Sequence, residues 1–285
     1  MHSRIIHNHR VMEAARARAA LVTPAALYGR GVFTTLAVHH GKPFLWPEHW
    51  LRLKEHAARA GLDLGELNAG NVGESLRQLI EANSVREGRA RVTLLATGEH
   101  GIWKVKGSDA GCPTDLLIMT GDPSDAPADG LALTVSPYRI STMSALAGVK
   151  SVNYLEHILA WEEARARDFD EAVTLNERGE LVSATLANIF WVTHGTIHTP
   201  ALATGALAGT TRACVMELAA EISAPLVEGV YDLSDLGDAD EVFITSAGHG
   251  LRVVTAFDFR RYTVPVGSVA LRLREALRQL TLDAE

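Results

Sequence analysis

Apolar side chains at Val32, Phe33, Leu36 and Val38 follow a strand period, and His40, Gly41 and Lys42 read as a tight turn into a second strand. Pro47 then opens a helix, with Trp50, Leu51, Leu53, Ala57 and Ala58 predicted inward and Gly61 as its stop. A further helix is predicted over roughly 73–83. It is followed by a strand at RVTLLATG, a loop at GEHGIWKVKGS and another strand at DLLIMT. Ahead of these, EAARARAA at 13–20 consists of strong helix formers, and the terminus before it is expected to be mobile.

Residues 121–130 concentrate Pro, Gly, Asp and Ser, the composition of an interdomain linker. The predicted division is a small α+β domain over 1–120, the linker, and a larger domain over 131–285. The second half opens with a strand at LALTVSPYRI. NYLEHILAWEEARARD then carries apolar residues at 154, 155, 158, 159 and 161, a helical stripe opposite a charged face. EAVTL, the turn at NERGE, ANIFWVT, the turn at His194 and Gly195, and DEVFITSAG read as strands and tight connections. TGALAGTTR leads into an apolar helix, LRLREALRQL closes the chain as an amphipathic one, and no solenoid or propeller repeat is visible.

At 285 residues the chain is comfortable for two domains. A formal charge of -7 argues against nucleic acid or an anionic membrane as the main partner, because neither is bound without a concentrated basic face. Cys112 and Cys214 lie in no metal or redox spacing and read as buried free thiols. The N-terminus lacks the apolar core of a signal peptide, and no run of eighteen apolar residues occurs. A cytoplasmic protein is expected. His2, His7 and His9 have no downstream partner in metal-ligand spacing.

One lysine is unusual in its setting. Lys150 follows Ala145, Leu146, Ala147, Gly148 and Val149, five uncharged residues, whereas a lysine that merely lays its stem on apolar surface is the ordinary alternative. Two small-residue turns accompany it, the approach to Thr210 and Thr211 at a helix start and the turn at Thr245, Ser246, Ala247 and Gly248; either alone is an ordinary cap or turn. No Ser-His-Asp signature, Walker loop or zinc spacing competes, and Gly29-Arg30-Gly31 is followed by a strand rather than the helix a phosphate loop requires. A neutral lysine amine with separate anchors for a phosphate is the equipment for a Schiff base with a phosphorylated aldehyde, which implies pyridoxal 5'-phosphate.

YGRGVFTT, HWLRL, GVKSVNYLEHILAWEEA, DEAVTLNERGELV, ANIFWV, HTPAL, LAGTTR and EVFITSAG occur in that order. Together they resemble the class IV aminotransferases, the pyridoxal phosphate enzymes of fold type IV, which include branched-chain and D-amino acid aminotransferases and aminodeoxychorismate lyase. The resemblance implies a small α+β domain, a larger strand-rich pseudo-barrel and a homodimer. It makes Lys150 the cofactor-holding, proton-shuttling residue and Arg52 the phosphate arginine, with Thr210, Thr211, Ser246 and Ala247 as the remaining cradle. Asn153 and Tyr154 follow the lysine as in many family aminotransferases, with Tyr154 open to reading as cofactor contact or packing. Tyr28, Thr34 and His100 fall on the substrate side, Lys104 and Lys106 are alternatives to His100, and Asn188 reads as holding local structure.

Two departures from the family pattern bear on the reaction. Where the family carries a glutamate that pairs with the pyridine nitrogen, five residues before the Asn of the ANIF motif, this chain has Ser183; Glu180 sits on the wrong strand parity unless a bulge shifts the register. Thr34 and Thr35 give the FTT pattern of the lyases, while KSVNYLEHILA resembles the aminotransferases. The expected activity is pyruvate elimination from 4-amino-4-deoxychorismate to p-aminobenzoate, with amino acid transamination as runner-up. A protein that keeps the fold and binds without turnover is the remote third reading. A small-molecule amino substrate is implied by the first two.

Overall fold

The computed structural model describes residues 1–98, 112–123, 130–258 and 260–283. Backbone contacts divide the chain into two units. The first holds 1–124 and 149–154, and the second 125–148 and 155–285. His100, Lys104 and Lys106 lie outside the described residues, as does most of the expected linker.

The first unit runs β1 (Arg4–His7), β2 (Arg10–Glu13), α1 (Pro24–Tyr28), β3 (Gly31–His39), β4 (Lys42–Pro43), α2 (Trp46–Arg59), β5 (Leu62–Asp63), α3 (Ala69–Ala82), β6 (Gly88–Ala96) and β7 (Cys112–Gly121). Its sheet has the order β2-β1-β7-β6-β3-β4, with β5 beside β7. Alternation sorts the strand residues by face. Val32, Leu36 and Val38 of β3, Val92 and Leu94 of β6 and Leu116 and Ile118 of β7 join Leu53 of α2 and Leu76 and Leu79 of α3 in one buried core. Phe33, Thr35, Arg89, Arg91 and Met119 have the opposite parity and fall on the other face.

Three expectations change here. The terminus expected to be mobile is a hairpin whose first strand pairs with β7, and His2, His7 and His9 are hydrogen-bonded to Thr120 and Asp122, to Asp115 and to Ser75 respectively. Of the helix formers at 13–20, only Ala14–Arg16 make a single 3-10 turn, because helix propensity is a weak prior beside an available sheet edge. In α2 the buried stripe is His49, Trp50, Arg52, Leu53, His56 and Ala57, while Leu51 is 69% exposed. Spacings of three and four along one helix face select that stripe, and three of its six members are polar. Such groups are costly to bury unless each is bonded.

The second unit is strand-rich. It contains β8 (Leu131–Ile140), α4 (Leu155–Ala166), β9 (Glu171–Asn176), β10 (Leu181–Ala184), β11 (Asn188–Thr193), β12 (Thr196–Pro200), α5 (Thr210–Glu221), β13 (Leu226–Gly229), α6 (Leu233–Gly237), β14 (Glu241–Ser246), β15 (Gly250–Phe257), β16 (Arg260–Arg261) and α7 (Val269–Asp283). The sheet order is β10-β9-β8-β15-β14-β11-β12-β13, with β16 on β15. β10 also touches β11 and β12 at the far side of that order, so the sheet curls back on itself. Phe190 and Phe243 stack in parallel across β11 and β14, with ring centroids 5.1 Å apart. The predicted apolar stripe of α4 is not its buried face. Ala160 and Ala164 are buried, whereas Leu155, Ile158 and Leu159 are exposed. Small side chains let the helix pack closely on β8 and β9.

Both cysteines are buried free thiols. Among the described residues no helix is long and apolar enough to cross a membrane.

Candidate active site

Residues 149–154, expected with the second half of the chain, pack on the first unit, and their main chain explains why. The Lys150 carbonyl accepts from the Phe33 N–H at 3.0 Å, the Val152 N–H donates to the Gly31 carbonyl at 2.9 Å, and Val32 and Ser151 form a bridge. The segment therefore behaves as a short extra strand against β3. The residue at 31 has to be glycine, since a Cβ there would stand 2.7 Å from the Leu94 carbonyl oxygen. On the other side, the Lys150 N–H donates to His56 Nδ1 at 3.1 Å. Main-chain bonds from two directions fix the lysine.

Its side chain lies against two aromatic rings. Nζ is 4.5 Å from the Phe33 ring centroid and 4.8 Å from that of Tyr154, and it donates to the Tyr154 hydroxyl at 3.4 Å. The two rings meet edge to face at 5.2 Å. Burial, then the positive charges of Arg52 and Arg91, lower the amine from 10.5 to about 7. A large fraction of Lys150 is thus an uncharged nucleophile near neutral pH, which the sequence anticipated only from its apolar neighbours.

Arg52 is not the solvated helix arginine that its position on α2 also allowed, being only 8% exposed. Its Nη2 donates to Thr34 Oγ1 at 2.9 Å, and the same hydroxyl lies 2.6 Å from His49 Nδ1. An arginine can only donate, so Thr34 Oγ1 accepts from Arg52, and burial and then Arg52 and Lys150 drive the His49 imidazole down to about 3, which keeps it neutral. Thr34, expected on the substrate side, is fully buried and orients Arg52 instead. Burial lowers Arg52 to about 10, partly offset by Tyr154, so the guanidinium stays charged. Arg91 stacks over the Phe33 ring at 3.6 Å, and its Nε donates to Thr93. Lys150, Arg52 and Arg91 make a cationic cluster in which burial opposes every charge and the two guanidinium groups further oppose that of Lys150. A dianionic phosphate would offset these costs, so the cluster fits a phosphorylated aldehyde.

His56 is buried and neutral, lowered to about 4 by burial and then by Arg52, Arg59 and Lys150, so its Nδ1 is free to accept. His56→Ala would leave the Lys150 N–H with no acceptor at a cost of about 1–3 kcal/mol. Thermal unfolding should fall by roughly 2–10 °C. His56→Asn, whose amide oxygen also accepts, should recover much of that loss. Melting of His56→Ala together with wild type would remove the bond from the account.

The second unit holds the remaining predicted residues. α5 begins at Gly209, where no side chain caps the first turn, and Thr210 and Thr211 are buried. A Cβ at Gly209 would collide with Asn188 Oδ1, and Asn188 Nδ2 also donates to the Leu207 carbonyl at 2.9 Å. Asn188 thus shapes the loop that delivers Thr210. Ser246 ends β14 and Ala247 follows it, and their neighbour Thr245 has a buried hydroxyl without a partner. Uncapped helix start and orphan hydroxyl both suit an anion. Tyr28 ends α1 and is 40% exposed.

Ser183 Oγ is 2.9 Å from Thr174 Oγ1, while Thr174 Oγ1 also donates to the Ser183 carbonyl at 3.0 Å. The two side chains are thereby paired with each other in the core of the second unit. The β9–β10 register does shift between Leu181 and Ser183. Glu180 is nonetheless committed elsewhere, to Arg178 at 2.6 and 2.9 Å and to Asn176 at 2.6 Å. Glu171 is buried beneath Thr185, which donates to it, and burial raises it to about 7.

A model of the class IV amino-transferase family matches residues 31–257. The chain belongs to the class IV aminotransferases. The chain is 30% identical over 281 residues to a putative branched-chain-amino-acid aminotransferase of Methanocaldococcus jannaschii, covering 97% of this chain and 96% of the relative. It is also 30% identical over 243 residues to an aminodeoxychorismate lyase of Bacillus subtilis, covering 84% and 82%. The branched-chain amino acid aminotransferase of Escherichia coli superposes with a TM-score of 0.89 at 25% identity, covering 99% and 95% of the two chains. The architecture is that of fold type IV, and class IV aminotransferases are pyridoxal phosphate-dependent enzymes. His49, His56 and Arg91 escaped the sequence reading. The spacing of His49, Arg52 and His56 on one helical face was the available signal for two of them.

Proposed function

We propose that the protein eliminates pyruvate from 4-amino-4-deoxychorismate to leave p-aminobenzoate, and the observation that carries this reading is Ser183. Pyridoxal phosphate, when bound, supplies a carbonyl for an amine and a conjugated ring that draws electrons from the bond being broken. Lys150 Nζ would hold the cofactor at its carbonyl and, once exchanged for the substrate amine, would remove and return a proton at the substrate. Tyr154 Oη orients that nitrogen, and its ring with Phe33 keeps water from it. Arg52, set by Thr34 and His49, binds the phosphate, with Thr210, Thr211, Ser246 and Ala247 as the further phosphate-holding residues. Arg91 is placed to hold a substrate carboxylate.

At the position where the family carries a carboxylate for the ring nitrogen, this chain has a hydroxyl already engaged by Thr174. Glu180 and Glu171 are both committed. A hydroxyl does not hold that nitrogen protonated as a carboxylate does, so the electron sink is shallower. A lyase has no need of a stable aminated cofactor and tolerates this better than a transaminase. Transamination is the second reading, favoured by the archaeal relative that spans nearly the whole chain. The proposal includes a homodimer, for which exposed Leu155, Ile158 and Leu159 offer an apolar face.

The test is a parallel assay of the purified enzyme for p-aminobenzoate release and for amino transfer from glutamate or alanine. Amino transfer without p-aminobenzoate would sink the lyase reading. Ser183→Glu should raise amino transfer by roughly tenfold or more, since one pKa unit at the ring nitrogen is a tenfold change in its protonated fraction. No rise would remove Ser183 from the argument.

A further inference from the structure

Glu171 is an acid on the core face of its strand. It opens β9 with the parity of Val173 and Leu175, which belong to the apolar core of the second unit, and its neighbour on β8 is Leu133 of the same core. Only 8% of its surface is exposed. A carboxylate is costly to bury without a cation beside it, and the groups that bond this one are neutral donors: the Thr185 hydroxyl and the N–H groups of Leu186 and Ala172.

Those donors place the acid where it controls a connection. Thr185 and Leu186 belong to the short link 185–187 between β10 and β11. Thr185 is held from two further sides, since its N–H donates to the Ala172 carbonyl at 2.9 Å and its carbonyl accepts from His157 Nδ1 of α4 at 3.1 Å. The link itself is closed by the Ala184 N–H, which donates to the Ala187 carbonyl at 2.9 Å. Just before the link stands Ser183, and directly after it comes Asn188, which shapes the loop that delivers Thr210. A backbone shift at Thr185 would displace both.

We propose that Glu171 is a positioning residue for cofactor binding: by holding Thr185 and Leu186 it fixes Ser183, at the ring end, relative to Asn188, which sets the phosphate-holding Thr210. The inference rests on the reading that Ser183 and Thr210 receive the two ends of pyridoxal 5'-phosphate. An ionised carboxylate accepts at both oxygens and donates from neither, so it satisfies a hydroxyl and two N–H groups together. A glutamine would turn an NH₂ group against one of those donors and leave it unpaired. That requirement accounts for a buried acid where the strand's other core-facing residues are apolar. Glu171 touches neither cofactor nor substrate in this account and acts through the link alone.

The experiment is titration of the cofactor-free protein with pyridoxal 5'-phosphate, well below the melting temperature of each variant and at a pH well above the value of about 7 to which burial raises Glu171, so that its carboxylate is ionised. Glu171→Gln should bind roughly tenfold more weakly, the scale of one hydrogen bond to a charged group. Thr185→Val should lose a similar factor, whereas Thr185→Ser keeps the hydroxyl and should stay within about twofold of wild type. Because the two residues act through one bond, Glu171→Gln combined with Thr185→Val should lose little more than either alone. A residue that only stabilised the core would lower melting and leave affinity below melting unchanged. Unchanged affinity in Glu171→Gln and Thr185→Val, equal losses in Thr185→Ser and Thr185→Val, or additive losses in the double variant would each overturn the proposal. Should Glu171→Gln not fold, the Thr185 pair decides alone. Gly209→Ala, whose Cβ would displace Asn188 directly, separates the two levels of the argument. Wild-type affinity in Gly209→Ala would remove the reading of the Thr210 loop and the inference with it, whereas a loss there with none in Glu171→Gln and Thr185→Val would remove Glu171 alone.

Discussion

Lys150→Ala is expected to abolish both the visible absorbance of the cofactor-loaded protein and its turnover. The turnover loss should reach roughly four orders of magnitude or more, the scale on which removal of a covalent nucleophile acts. Charge places Lys150 apart from the surface lysines. Its amine, lowered to about 7 by burial and by Arg52 and Arg91, is half neutral near physiological pH. Capture of added pyridoxal phosphate by cofactor-free wild type should therefore rise with pH and level off above about 7, whereas an unperturbed lysine would continue to gain reactivity toward 10.5. Stability carries the same signature. Because the folded-state value is the lower one, the unfolded chain binds more protons across the window from about 7 to 10.5, and the cofactor-free protein gains stability as pH rises through it. Lys150→Ala deletes the buried cation, so it should melt no lower than wild type at pH 7 and lack that pH-dependent gain. A variant that kept the absorbance, or a wild type whose capture rate climbed steadily to pH 10, would sink the assignment.

The sequence made the strands of this fold legible wherever a run alternated between two defined faces, as at Val32, Leu36 and Val38. It was less informative where the buried face was not the most apolar one. In α2 hydropathy favours Leu51 and Ala58 over Arg52 and His56, yet the helix turns the polar pair inward, where Arg52 bonds Thr34 and His56 accepts from the Lys150 N–H. In α4 the apolar stripe included Leu155, Ile158 and Leu159, but these are exposed and the buried residues are the small Ala160 and Ala164. Lys150 was singled out from its neighbours in sequence. Its attachment to β3 was not, since the bonds from Phe33 and Val152 join residues more than a hundred positions apart. His56 illustrates the limit from the other side. Nothing in a histidine on a helix announces that its Nδ1 accepts the main-chain N–H of a residue 94 positions away. A polar stripe at helical spacing was the available sign, beside the HWLRL motif, that α2 turns polar side chains inward.

Arg52→Ala should weaken binding of pyridoxal phosphate by roughly two to three orders of magnitude, corresponding to the 2–5 kcal/mol typically lost when one member of a buried, hydrogen-bonded charge pair is truncated. The guanidinium is held by Thr34, which is itself hydrogen-bonded to His49, so Arg52 meets the ligand already oriented and little conformational freedom is lost on binding. Arg52→Lys keeps the charge without the planar fork and should lie between, which also guards against a result caused only by misfolding. Two further readings separate phosphate binding from general damage. Pyridoxal, which lacks the phosphate, should bind Arg52→Ala about as well as it binds wild type, so that the variant loses its preference for the phosphorylated form. Removing one of the two positive charges that depress Lys150 should also move the pH midpoint of cofactor capture upward from about 7. Equal losses for pyridoxal and pyridoxal phosphate, with no movement of that midpoint, would make Arg52 a packing residue of α2 and transfer phosphate binding to the hydroxyls of the second unit.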